Sequence, residues 1–315
     1  MFSTYFWRFA FFAIGVELLV MKKYKVIIFV WASSLISIFF FGLVIIQVIL
    51  SSYQNISAST LKEESVKSAQ VSFGELQVAK EDKLLGDISS LVATHSAIPA
   101  SSSASLGLAI TNLNSKRTYG VNLNKDFELA SVEKLLVAAF AFSKIDKGEL
   151  TEDVIISDKS LIEHLRLLIN QSNNQSWAVL TTYFGTSTLQ NWAGELGISS
   201  FKVSGGTNLA DPADLNTLLS KIYGDLLKPG SKQKLLSFME NTAFEQRIPQ
   251  GLPKGATVYH KTGTYDTVIN DAAIIVPPKN SFILTVLTQN PTSQSAAEDL
   301  IQKVSKKVWD FYASV

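Results

Sequence analysis

Cysteine is absent from all 315 residues, and with it go disulfide frameworks, thiolate zinc sites, iron–sulfur clusters and a cysteine nucleophile. Charge is scarce as well: Asp, Glu, Lys and Arg make up 17% of the chain, against about 25% in an average soluble domain. The 28 basic and 27 acidic residues nearly cancel to a net charge of +1, which leaves no broad field to hold nucleic acid. There are only three histidines, His95, His164 and His260, and they lack metal-ligand spacing. Neither a metal, a cofactor nor a Ser-His-Asp triad is therefore expected, and His260 should face away from its strand neighbour Lys261.

Apolar residues take up the deficit, at 47% of the chain, and they concentrate near the N-terminus. Val26 to Leu50 runs 25 residues without a charge, enough to cross roughly 30 Å of hydrocarbon as a helix. Lys22, Lys23 and Lys25 precede this span, so the positive-inside rule puts residues 1–25 in the cytoplasm and everything beyond about Ser51 outside it. A single-pass anchor in a bacterial cell membrane is expected, longer than the apolar core of a cleaved signal peptide. Residues 1–20 read as an extension, because Met21-Lys22-Lys23 has the form of an anchor's own start; Met1 and Met21 both stay open as the first residue. Residues 51–80 turn polar, as a tether or a helical stalk would, and residues 81–315 are long enough for one domain with its own core.

Periodicity within 81–315 predicts a helix at Glu81–Thr94, then strands at Leu106–Leu113 and Arg117–Asn122. Helices follow at Ser131–Lys147, Lys159–Ile169, Gln175–Phe184, Ser187–Leu196, Pro212–Leu227 and Ser231–Thr242. Strands return at Ala256–Lys261, Val268–Val276 and Phe282–Thr288, before a last amphipathic helix at Ser293–Tyr312. The fold class is α+β, with one sheet assembled from both ends of the domain and a helical block inserted between them.

Three short motifs carry the chemistry. Ser131-Val-Glu-Lys134 opens a helix that is apolar almost all round and so must be buried, and residues three apart share a helix face. A serine needs an adjacent base to act as a nucleophile, and burial drives a lysine toward the neutral amine that can serve. Ser-x-x-Lys also occurs at Ser59, Ser199 and Ser231, so only its context singles out Ser131. Ser172-Asn173-Asn174 lies in a polar break between helices, where a pair of helix caps would also fit. Lys261-Thr262-Gly263 ends a predicted strand, where a plain turn would also fit.

Taken in order, the three motifs resemble those of the serine β-lactamase and penicillin-binding protein superfamily, Ser-x-x-Lys, Ser-x-Asn and Lys-Thr-Gly. FELASVEKLLVAA, LINQSNNQSW and GLPKGATVYHKTGTYDTVINDAAIIV are most similar to stretches of class A β-lactamases. The resemblance covers about Asp82 to Tyr312 and implies an αβα sandwich, with an antiparallel sheet of about five strands and an all-helical lobe. It implies that Ser131 is the acyl-forming nucleophile, Lys134 its base or proton relay, and Ser172 the shuttle to the leaving nitrogen. By the same resemblance Asn174 holds the substrate's amide side chain, and Lys261 and Thr262 bind its carboxylate. Gly263 lets the substrate approach the strand, and the N–H of Thr264 joins that of Ser131 as an oxyanion hole.

One departure is mild: Asn173 stands where the family often has aspartate. The other concerns turnover. Class A enzymes carry an Ω-loop glutamate that activates the hydrolytic water, whereas residues 198–210 here contain no carboxylate, and Glu195 is the nearest upstream candidate. Acylation is thus expected more firmly than deacylation. The expected partner is a β-lactam or a peptidoglycan stem peptide, and the catalytic domain is expected to be monomeric. A β-lactamase is the leading expectation; a penicillin-binding D,D-peptidase-like wall enzyme and a non-catalytic surface binder are the alternatives. Asp271 reads as a structural carboxylate near Lys261, and Trp177 and Trp192 as packing residues.

Overall fold

Strands buried on both faces read as near-continuous apolar runs, and Val268–Val276 and Phe282–Gln289 do so, apart from Asn270-Asp271 in the first and Thr285, Thr288 and Gln289 in the second, because both sides of their sheet are covered. In the second of these, Ile283 and Leu287 enter one core while Phe282, Leu284 and Val286 enter another. The structure, a computed structural model, describes residues 25–202 and 207–314, the side chains of 25–38 and 53–73 excepted. It divides into two units, Met1–Gln77 and Val78–Val315.

Helix α1 spans Lys25–Thr94 and supplies the described part of the first unit. From Phe39 to Leu50 its large apolar side chains are exposed. Among the described residues no helix is long and apolar enough to cross a membrane. The expected span at 26–50 falls partly on side chains outside the described residues, and the expected extension at 1–20 falls wholly outside them.

In the second unit β1 (Ser105–Asn112) and β2 (Thr118–Val121) follow α1, then β3 (Phe127–Glu128) and a 3₁₀ turn at Ala130–Glu133. The helical block comprises α2 (Lys134–Asp146), the short strands β4 (Ile155–Ile156) and β5 (Lys159–Ser160), α3 (Leu161–Asn170), α4 (Asn174–Phe184) and α5 (Thr186–Glu195). It continues with β6 (Leu209–Ala210), α6 (Pro212–Tyr223) and α7 (Pro229–Phe238). The chain then returns to the sheet through β7 (Thr257–Tyr265), β8 (Val268–Val276) and β9 (Phe282–Gln289), and ends in α8 (Gln294–Ser314).

The five-stranded sheet has the order β2-β1-β9-β8-β7, antiparallel throughout, so its middle joins the first strand of the unit to the last and β7 forms an edge. One face packs on the helical block, with α2 at its centre: Leu135 to Phe142 are all buried, and Phe140 meets Phe184 and Trp192 edge-on at 5.1 and 5.3 Å. The other face is covered by Leu84 and Ile88 of α1 and by Ala297, Leu300, Ile301, Val304 and Val308 of α8. This is the αβα sandwich with a sheet built from both ends of the domain.

Local chemistry sets the helix boundaries. Ser160 accepts from the N–H of Glu163 at the start of α3, Asn173 from that of Ser176 at α4, and Asp211 from that of Asp214 at α6, with Pro212 in the first turn. Two expectations are corrected. Helix α6 stops at Tyr223, before Gly224, rather than at Leu227. The Lys-Thr-Gly triplet lies inside β7, which continues to Tyr265 because its register with β8 runs on to the Tyr265–Val268 pair. The pairing of β3 with β6 was not legible, since two-residue strands carry no period.

Candidate active site

The site lies where β7 meets the entry to α2. Gly263 faces the 3₁₀ turn so closely that an added Cβ would stand 2.4 Å from the Leu129 carbonyl oxygen and 3.1 Å from the Ser131 nitrogen. That approach needs a residue without a side chain. The group pressed against Gly263 is the backbone that carries Ser131. Buried Asn270 of β8 pins the same turn by donating from Nδ2 to the carbonyls of Glu128 (2.8 Å) and Leu129 (3.2 Å). Ala130, just before Ser131, has φ of 49°, and Ser172 has φ of 54°. Ala130, adjoining Ser131, and Ser172 itself are thus non-glycine residues in the left-handed region, where backbone strain is stored.

Five of the eight expected residues meet here through their side chains. Lys134 Nζ donates to Ser131 Oγ at 3.0 Å, to Asn174 Oδ1 at 2.7 Å and to the Ser172 carbonyl at 2.7 Å, and lies 3.4 Å from Ser172 Oγ. Lys261 Nζ reaches the same Ser172 Oγ at 2.9 Å from the opposite side, and also donates to its neighbour's carbonyl at Thr262. Both lysines are 1% exposed. Burial pulls Lys134 down to about 8, against the opposing charge of Glu133. Burial also holds Lys261 well below the ordinary lysine value, helped by the charges of Lys134 and Arg247 and opposed by Asp271. An amine so weakened, in contact with a hydroxyl, has the chemistry of a base beside a nucleophile, and Ser172 Oγ stands within 3.4 Å of one amine and 2.9 Å of the other.

The other three expected residues stand on the strand beside this cluster. Thr262 pairs in register with Asp271 and alternates to the face opposite Lys261. Thr264 is exposed, and its Oγ1 accepts from Arg247 Nη2 at 2.5 Å. Arg247 is 4% exposed and also donates from Nη1 to the carbonyls of Gly263 (2.9 Å) and Asn270 (2.6 Å), bracing the inner end of the β7–β8 hairpin. Sequence reasoning missed both Arg247 and Asn270. The signal for Asn270 was present: a buried Asn-Asp pair inside an apolar strand demands specific partners. For Arg247, in the aperiodic segment AFEQRIPQG, there was none.

Among the remaining candidates, Glu195 is exposed at the end of α5. Two anchors flank the segment that follows it: Ser200 N donates to Asp214 Oδ2 at 2.7 Å, and Asp211 N to Ser200 Oγ at 2.9 Å. His164 is buried between Ser176 Oγ (3.1 Å) and the Ile156 carbonyl (2.9 Å), and His95 meets Asp299 at 2.8 Å. His260 faces Asp271, away from Lys261. Trp192 packs against Phe140, and Trp177 borders the same core. Among the described residues no group of acidic or histidine side chains is arranged to hold a metal ion.

The chain is 25% identical over 256 residues to the β-lactamase VEB-1 of Pseudomonas aeruginosa, a match covering 66% of this chain and 86% of that one. Among solved structures it is similar to PBP-A (TM-score 0.67, 26% identity, 74% of this chain and 97% of that one). The TLA-1 extended-spectrum β-lactamase shares the fold with TM-score 0.68 at 23% identity, over 74% of this chain and 99% of that one. The profile of the beta-lactamase enzyme family matches residues 90–312, which hold the whole serine–lysine cluster and the sheet that frames it, and the chain belongs to that family.

Proposed function

We propose that the protein is a β-lactamase-type serine hydrolase in which β-lactams acylate Ser131. The observation that carries this reading is the 3.0 Å contact of Lys134 Nζ with Ser131 Oγ, made by an amine that burial brings down to about 8. Lys134 as the free amine takes the hydroxyl proton while Oγ attacks the lactam carbonyl. The oxyanion is held by the N–H groups of Ser131 and Thr264. The carbon–nitrogen bond then breaks, and the nitrogen takes a proton from Ser172 Oγ, which regains one from Lys134, 3.4 Å away. Asn174 holds the amide side chain of the substrate, and Lys261 its carboxylate. VEB-1 is named a β-lactamase, and a mutant of PBP-A has been captured as an acyl-enzyme with penicillin G; both support the reading.

Hydrolysis of the acyl-enzyme is the slow half of the cycle. Residues 198–210 carry no Asp or Glu, and among the described residues the side chain hydrogen-bonded to Ser131 Oγ is that of Lys134. That favours, as a second reading, a penicillin-binding D,D-peptidase-like role on wall stem peptides. The span at Val26–Leu50 holds the chain in the membrane, with Val78–Val315 on the outer side.

The test mixes the full chain with a fluorescent penicillin and a chromogenic cephalosporin, following intact mass and colour. A lasting adduct on Ser131, absent in Ser131→Ala and in Lys134→Ala, is expected. Its rate of formation should rise with pH up to about 8, as Lys134 gives up its proton. Steady colour without an adduct would mean full turnover by a base outside this account. Labelling of Ser131→Ala at the normal rate would overturn the site, and no label with retained binding of a wall fragment would leave a binding protein.

A further inference from the structure

Behind Lys261, on the far face of β7, lies a second polar cluster that the reaction above does not use. His260 is 1% exposed and Asp271 fully buried. His260 Nδ1 stands 3.0 and 3.2 Å from the two Asp271 oxygens, and Nε2 is 3.1 Å from both Glu245 Oε1 and Thr242 Oγ1. The order Thr242, His260, Asp271 has the outline of a nucleophile–base–acid triad. The ring, however, has a carboxylate at each nitrogen, so both nitrogens carry protons and neither can accept one. Thr242 Oγ1 moreover donates to Glu245 Oε1 at 2.9 Å. The cluster is an ionic clamp rather than a reaction centre.

What the clamp holds is the segment that braces the active site. Asp271 Oδ2 accepts from the N–H of Ile248 at 3.0 Å, and the next residue back is Arg247, whose guanidinium holds Gly263 O, Asn270 O and Thr264 Oγ1. Glu245 grips the other end of the same segment by accepting from Thr242 N at 2.6 Å. The His260 N–H donates to Met239 O at 3.0 Å, tying β7 to the end of the segment nearer α7. We propose that His260 is a positioning residue for the serine–lysine site: as a cation between Asp271 and Glu245 it fastens residues 242–248 to β7, and so keeps Arg247 against the strand that carries Gly263 and Thr264.

Every charged group facing the ring enters the balance. Asp271 comes from β8, Glu245 and Arg247 from the segment, and Glu298 from α8 through its 3.6 Å contact with Arg247, while Lys261 occupies the other face of β7. Burial alone would lower the imidazole, but Asp271 and then Glu245 outweigh it and raise His260 to about 9. A raised cation stabilises most below its unfolded value of 6.5 and loses that contribution as pH climbs through about 9. The clamp should therefore loosen in alkali, and the site with it.

The proposal rests on Ser131 being the acylated residue for its kinetic consequence alone; its structural arm is independent. In the full chain, histidine NMR should show one ring titrating near 9, and amide exchange at 263–270, corrected for intrinsic rates, should accelerate over the same range. His260→Gln should abolish that pH step, leave exchange fast throughout and cut the acylation rate constant about tenfold to a hundredfold. His260→Gln with Asp271→Asn should recover part of that loss, because no lone buried carboxylate remains. If His260→Gln unfolds the chain, Glu245→Gln, at the half-exposed end of the clamp, should move the same exchange step to lower pH. The proposal is overturned if His260→Gln keeps exchange and acylation within twofold of the parent from pH 6 to 10, or if the double variant is no better than the single one. A parent protein that shows the exchange step but forms no acyl adduct would sink the proposed function and leave the clamp standing.

Discussion

At the scale of single residues, the Ser-x-x-Lys turn contains a group that its motif does not require. Glu133 is 7% exposed, and burial pushes its carboxyl up to about 8 despite the attraction of Lys134. An acid raised in the folded state stabilises fully below its unfolded value of 4.5 and loses that contribution as pH rises through about 8, so near neutrality the native chain bears the cost of withholding ionisation. Glu133→Gln removes the cost. Thermal melts should show the variant more stable at pH 7.5, by on the order of 1–3 kcal/mol, and level with the parent near pH 4. Coincident melts at both pH values would mean that the carboxyl is not held neutral. Ser131, Lys134, Ser172 and Lys261 were legible in the sequence because each lies in a short motif on a recognisable element. Glu133 was in view but had no partner in sequence to give it meaning, and Arg247 becomes a site residue only through contacts made after folding.

At the scale of elements, the site depends on one close contact, between edge strand β7 and the 3₁₀ turn at Ala130–Glu133. Gly263→Ala would put a methyl group 2.4 Å from the Leu129 oxygen, a backbone atom that cannot swing aside. The turn must then move off the strand, which separates the Ser131 N–H from that of Thr264 and strains the Asn270 bonds to Glu128 and Leu129. Melting should fall by several degrees, matching about 1–3 kcal/mol for overpacking. Labelling of Ser131 by a fluorescent penicillin should slow by at least about a hundredfold. Normal labelling with a lowered melting point would show that the contact serves packing alone. Helix α2 and strands β8 and β9 were legible because their apolar runs are long. The extension of β7 past Lys261 to Tyr265 was not, because glycine followed by polar residues reads as a turn until the register with β8 is known.

At the scale of the whole second unit, closure of the sheet depends on residues far apart in sequence. Glu81 of α1, 1% exposed, accepts from Asn112 Nδ2 of β1 at 3.0 Å, from Arg117 Nη1 before β2 at 2.6 Å and from Tyr312 OH of α8 at 3.4 Å. Tyr312 in turn stacks on Phe282 of β9 at 4.7 Å between ring centroids and lies 3.0 Å from Tyr119 OH of β2, so α1, three strands of the sheet and the last helix meet at one buried point. Leu84 and Ile88 of the same helix belong to the core on that face. The sequence places a helix at Glu81–Thr94 inside the domain, but nothing in it shows that Glu81, at the start of that stretch, is the buried acceptor that joins β1 to the last helix. A chain beginning at Val78 retains all of these groups and should melt in one cooperative step. A chain beginning at His95 loses two buried side chains, at about 2–5 kcal/mol each, and leaves Arg117 and Asn112 without their shared carboxylate. That loss rivals the roughly 5–15 kcal/mol that holds a typical domain together. The shorter chain should therefore show no cooperative melt by circular dichroism and no labelling of Ser131. If it melted within a few degrees of the longer one, α1 would be an attachment to the sheet and not part of its closure.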